Sequence, residues 1–115
     1  MNLTDFQKQR INSLVDLANK LDALGLPEHI VYQAIQENPW FTKYYIDTAI
    51  EGIRSWLSQD ILKEFVAHYP ALSGTGQKIG IIAAGNVPFV GFHDVMVAFL
   101  SGHEVILKPS RQDRV

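Results

Sequence analysis

The residues in this chain that could do chemistry at an informative spacing lie in GIIAAGNVPFVGFHDVMVAFLSGHEVILKPS, residues 80–110. Gly85 and Asn86 stand at one junction, in GNVP. Lys108 and Ser110 stand at another, in KPS, with Arg111 next. Together they read as half of a nucleotide site. The rest of the inventory is thin. With no cysteine, the chain has no disulfide, thiolate metal ligand or cysteine nucleophile of its own. His29, His68 and His103 are isolated, without ligand spacing. His93 and Asp94 are adjacent, so on a helix they point about 100° apart and cannot form a tight pair facing one site. GTG at 74–76 precedes a strand, whereas a dinucleotide fingerprint follows one, so it reads as a turn.

The elements that must position these residues can be read from pattern. KIGIIAA is apolar without alternation, which predicts a strand buried on both faces. Pro88 opens a helix, Gly102 closes it, and EVILK is a second strand. Strand–helix–strand over about 30 residues is a βαβ unit with parallel strands. The loops AGNVP and KPS then leave the carboxyl ends of the strands, where open α/β sheets bind ligands. Simpler roles exist for each residue. Asn86 can cap the helix at Pro88, Lys108 can be a solvated strand end, and Arg111 can belong to a frayed tail.

Upstream, residues 1–70 have helical periodicity and hold most of the charge. Thr4 and Gln7 form a capping-box pattern ahead of Ile11, Leu14, Leu17, Ala18, Leu21 and Leu24, one apolar stripe. GLP ends that helix, a second runs to about Glu37, and NP stops it. Thr42 caps a third helix with an apolar face from Ile46 to Leu57, and Ser58 caps a fourth that runs to Tyr69. Trp40, Phe41, Tyr44, Tyr45 and Trp56 are expected to pack in the core. SGTGQ, residues 73–77, is the linker-like stretch.

Composition narrows the class. The chain has 115 residues, 47% of them hydrophobic and 19% charged, which is enough for a core and argues against disorder. A net charge of −2 gives no electrostatic reason to expect nucleic acid. The charged start, MNLTDFQKQR, lacks a signal core, and the apolar stretch 79–101 is broken by Asn86, Pro88, His93 and Asp94. A soluble, cytoplasmic protein with no membrane span is expected.

The βαβ stretch resembles the first cofactor-binding unit of the aldehyde dehydrogenase superfamily. There a strand leads to an Asn-x-Pro turn, then to a helix ending in a small residue plus glycine, then to a strand ending in Lys-Pro-Ser. GNVPF and FLSGHEVILKPS follow that order over about residues 78–111. The helical prelude with NPWFT is similar, more weakly, to the acyl-CoA reductase family of LuxC-like fatty acid reductases. The resemblance implies an α/β fold: a helical segment over 1–70, then an incomplete nucleotide-binding domain over 71–115. It implies an enzyme that takes a fatty acyl group, from CoA or a protein thioester, onto a cysteine and reduces it to an aldehyde with a nicotinamide cofactor. Asn86 matches the asparagine whose amide steadies the carbonyl oxygen. Lys108 matches the lysine that holds the adenosine ribose, with Gly85, Ser110 and Arg111 beside the cofactor.

Two departures stand out. Ala84-Gly85 replaces the Pro-Trp common before the asparagine. Arg111 replaces a glutamate that would bond the 2′-hydroxyl of NAD, and an arginine there would attract a 2′-phosphate. NADP is therefore expected over NAD. Because the superfamily's cysteine and glutamate are absent, the chain reads as the N-terminal part of a longer enzyme, inactive alone and prone to associate through its incomplete sheet. Two other functions fit the residues: an oxidative aldehyde dehydrogenase, and a non-catalytic helical interaction module.

Overall fold

The structure, a computed structural model, describes residues 3–69 and 76–115. Thr4 opens α1 (Asp5–Leu24) through a reciprocal cap. Its hydroxyl accepts from the Gln7 N–H at 3.1 Å, and the Gln7 side chain accepts from the Thr4 N–H at 2.8 Å. Two donors that a helix start leaves orphaned are satisfied this way. Gly25 ends α1 at φ +61°, its N–H bonded to the Leu21 carbonyl. Pro27 precedes α2 (Glu28–Glu37), which stops at Asn38 in extended dihedrals, the preference of a residue before proline. Thr42 caps α3 (Lys43–Trp56) and Ser58 caps α4 (Gln59–Ala67), each hydroxyl accepting a backbone N–H of the first turn.

Residues 73–75 of the SGTGQ turn and the expected boundary at 70/71 lie outside the described residues. From Gly76 the chain forms β1 (Lys78–Ile82), α5 (Phe92–Leu100) and β2 (Glu104–Lys108). The strands pair in parallel, from Lys78 opposite Glu104 to Ile82 opposite Lys108. Gly102, at φ +86°, turns the chain from α5 into β2, where a Cβ would be strained. The whole is a mixed helix–strand fold, five helices and a two-stranded parallel sheet among the described residues.

One apolar cluster joins both halves. Ile11 and Leu14 of α1 meet Ile53 of α3, Leu62 and Val66 of α4, and Met96 and Leu100 of α5. The apolar stripe on α1 is buried at Ile11, Leu14 and Ala18, while Leu17 reaches solvent and the Leu24 side chain lies outside the described residues.

Three expectations are corrected. Pro88 does not open the helix; it sits in a run of turns, and α5 begins at Phe92. Phe89, at φ +56°, is the reason: a left-handed residue cannot continue a right-handed helix. The strands are not buried on both faces. Their inner residues lean on α5, but Ile82 is 84% and Ile106 54% exposed, because no described element covers the second face. Among the aromatics expected in the core, only Phe41 is buried. Trp40 (75% exposed), Tyr44, Tyr45 and Trp56 face solvent, since the buried stripe of α3 runs through Ile46 and Ile53. No helix among the described residues is long and apolar enough to cross a membrane.

Candidate functional site

Parallel pairing brings the two candidate loops to one end of the sheet. Ile82 and Lys108 are register partners, and the Ala83 N–H donates to the Lys108 carbonyl at 3.0 Å. The loop after β1 and the tail after β2 therefore leave side by side. Gly85 is buried where they meet. A Cβ on Gly85 would lie 2.8 Å from the Ser110 Cβ and 3.0 Å from the Gln112 Cβ, and closer still to the Ser110 hydroxyl. Only glycine permits that approach.

Asn38 locks the junction. Its side chain is 3% exposed, and its Nδ2 donates to the Gly85 carbonyl at 2.8 Å and to the Gln112 carbonyl at 3.0 Å. Its Oδ1 accepts from the Trp40 N–H at 3.0 Å, an Asx turn of the kind an asparagine before proline readily makes. One buried amide thus fixes the end of α2, the loop after β1 and the tail after β2. Arg114 adds a long contact, its Nε 4.0 Å from a Glu37 carboxylate oxygen. Ser110 shapes the tail: its Oγ accepts from the Gln112 N–H and its carbonyl from the Asp113 N–H. Its hydroxyl proton stays free to donate.

The other candidates surround this junction. Asn86, Lys108 and Arg111 are exposed and Ser110 is half-buried. Among the described residues no hydrogen bond or ion pair engages the Asn86, Lys108 or Arg111 side chains. Asn86 is not a helix cap: the residue before α5 is Gly91, and that helix start has no side-chain cap at all. Gly85 and Ser110 are therefore in contact, while the amide, ammonium and guanidinium stand free around them. His93 and Asp94 form no tight pair, the His93 Nδ1 and Asp94 Oδ1 lying 3.9 Å apart on the surface.

A larger groove, about 690 Å³, lies among α1, α2 and α3, over Leu21, Leu26, Val31 and Ile35. None of the candidate residues lines it. Most of its rim charge is paired within the chain: Lys43 meets Asp47 at 2.6 Å, and Arg54 meets Asp22 and Glu51, while Glu28 makes no ion pair among the described residues. The Asp47 hydrogen bond, then its charge, holds the Lys43 ammonium above its ordinary value. Most of the groove's charge is taken up within the chain, whereas the Asn86, Lys108 and Arg111 side chains at the sheet end are engaged by no described residue, which favours the sheet end for a polar ligand.

Asn38 is the residue that sequence reasoning missed. NP was legible as a helix stop, but the partners of the Asn38 side chain lie 47 and 74 residues away. Comparison with protein-family models, with curated proteins and with solved structures gives no match.

Proposed function

We propose that this chain is the first nucleotide-binding unit of a NADP-dependent acyl-CoA reductase. The observation that supports the reading most is the junction of Gly85, Ser110 and Asn38, which leaves Lys108, Arg111 and Asn86 unpaired around the carboxyl ends of two parallel strands. The donor set fits the adenosine end of NADP. Arg111 would take the 2′-phosphate through a two-pronged contact, and Lys108 and the Ser110 hydroxyl would donate to the ribose oxygens. A bound NADPH supplies hydride to the carbonyl carbon of a thioester. Asn86 would donate its amide to the oxygen of that carbonyl, where charge collects in the transition state; one such donor is worth roughly 10²–10³ in rate. The acyl-accepting cysteine is not among these 115 residues and would come from elsewhere in the enzyme.

Titration of the ¹⁵N-labelled chain with 2′,5′-ADP, against 5′-AMP, tests the cofactor half. Amide shifts at Gly85, Ser110 and Arg111 that favour 2′,5′-ADP, and lose that preference in Arg111→Glu, are expected. No shift at any of the three sinks the nucleotide reading. Acyl-CoA-dependent NADPH oxidation by the polypeptide of the uninterrupted reading frame tests the reductase half; no oxidation with any acyl-CoA ends it.

A further inference from the structure

Arg111 sits on a built turn and not on a loose tail. The Asp113 N–H donates to the Ser110 carbonyl at 3.1 Å, and the Gln112 N–H donates to the Ser110 Oγ at 3.2 Å. Arg111 and Gln112 are the two central residues of that turn. Such bonds fix the shape of a turn. They do not fix where it points, and the covalent link to β2 through Pro109 does not settle that either.

Asn38 settles it. One Nδ2 hydrogen goes to the Gln112 carbonyl, inside the turn, and the other to the Gly85 carbonyl, on the loop after β1. Both amide donors are therefore in use, and the Oδ1 is taken by the Trp40 N–H. The Gln112 carbonyl shares a rigid peptide plane with the Asp113 N–H, which bonds back to Ser110. Holding that one carbonyl thus orients the whole turn. Asn38 is itself anchored at the end of α2, where its backbone N–H donates to the Ala34 carbonyl. Gly85 completes the fit, because a Cβ there would press on Ser110.

We infer that Asn38 is a positioning residue for cofactor selection: by tying the turn to the glycine loop, it aims the Arg111 guanidinium at the 2′-phosphate. The inference rests on the nucleotide reading above and adds to it a residue that touches no ligand and acts through Arg111. A misdirected guanidinium still attracts a phosphate by its charge. It loses the two-pronged contact, which depends on direction. Asn38 should therefore matter for the 2′-phosphate far more than for the rest of the nucleotide.

The test is the ratio of dissociation constants of the 115-residue chain for 5′-AMP and 2′,5′-ADP, read from amide shifts. Partial unfolding weakens both ligands by the same factor, the folded fraction, and cancels in the ratio. Asn38→Ser keeps a side-chain oxygen for the Trp40 N–H and adds no charge, but has one hydroxyl proton for two carbonyls. It should cut the preference for 2′,5′-ADP about tenfold, the worth of one well-made contact to a charged group. Asn38→Ala should do the same. Ser58→Ala, which loses only the cap of α4, should keep the wild-type ratio. Arg111→Gln should remove the preference, and adding Asn38→Ser to it should change nothing more, because the two residues act as one unit. A wild-type ratio in Asn38→Ser overturns the inference. So does a further fall in the double variant, or a loss of preference in Ser58→Ala. Equal affinity of the wild-type chain for the two nucleotides would instead end the NADP reading, and the inference with it.

Discussion

The strands β1 and β2 are richer in aliphatic residues than the helices α1–α4, yet they bury them less well. Leu57, at the end of α3, is 1% exposed, whereas Ile82, at the end of β1, is 84% exposed. Helices α1, α3 and α4 close one core with α5, to which α2 adds no buried residue. Among the described residues the sheet has helix on one face only, so Ile82 and Ile106 on the other face lack a partner. An apolar run thus reports what a strand can bury, not what the chain around it provides.

That contrast predicts a large difference between two truncations. Leu57→Ala should cost about 2–5 kcal/mol, because it opens a cavity in the shared core. Ile82→Ala should stay within about 0.5 kcal/mol, as exposed positions do. Chemical denaturation of both variants decides the matter. If Ile82→Ala costs as much as Leu57→Ala, the open face is covered in solution and the contrast fails.

Asn38 joins the two regions and comes next in size. Asn38→Ala strips the Gly85 and Gln112 carbonyls of their donor at a buried position, a loss of about 2 kcal/mol. The loss should be local in its dynamics. Hydrogen exchange should quicken over residues 83–91 and 109–115 while α1 keeps its protection. Uniform quickening would mean that Asn38 supports the global fold and does not clamp the loops.

What was legible in the sequence divides along the same line. Thr4, Thr42 and Ser58 act within a turn of themselves, so residue type and spacing identified each cap. The parallel strands and the glycine after α5 were likewise local patterns. The start of α5 was misplaced because proline favours a helix start, and only the fold forces Phe89 into the left-handed region that excludes one. There it lines a small apolar cavity with Leu26, Ile30 and Phe41. Asn38 was opaque for a related reason: an asparagine before proline looks the same whether or not distant carbonyls converge on it. Of the site, the two loops were visible and the clamp that joins them was not.

A smaller pair of changes separates caps from site residues. Thr42→Ala should cost about 1 kcal/mol, the usual worth of a helix-start hydroxyl. Asn86→Ala should cost less than about 0.5 kcal/mol, since its side chain is exposed and caps nothing. Equal losses in thermal melts would give Asn86 a structural role and remove the reason to reserve it for chemistry.

The smallest effect is expected from Asp113, in the tail that Asn38 holds. Partial burial raises its carboxyl above the ordinary value of 3.8, because desolvation disfavours the charged form. The apolar cavity beside Phe41, Phe89 and Val115 is the physical source. A raised acid binds its proton more readily folded than unfolded, so ionisation works against folding. Below pH 3.8 the group is neutral in both states and adds no penalty. As pH climbs through that value toward the higher folded one, the unfolded chain releases its proton first and stability declines. Above the folded value the penalty is complete and constant. Most of the carboxyl still sees water, so screening keeps the penalty modest. Asp113→Asn should leave stability unchanged at pH 3 and raise it slightly at pH 7, a sign opposite to that for a carboxylate stabilised by an ion pair. Urea titrations of both proteins at the two pH values measure it. A variant that is less stable at pH 7 would show Asp113 held by a cation in solution, and the tail packed differently from the arrangement around Gly85 and Ser110.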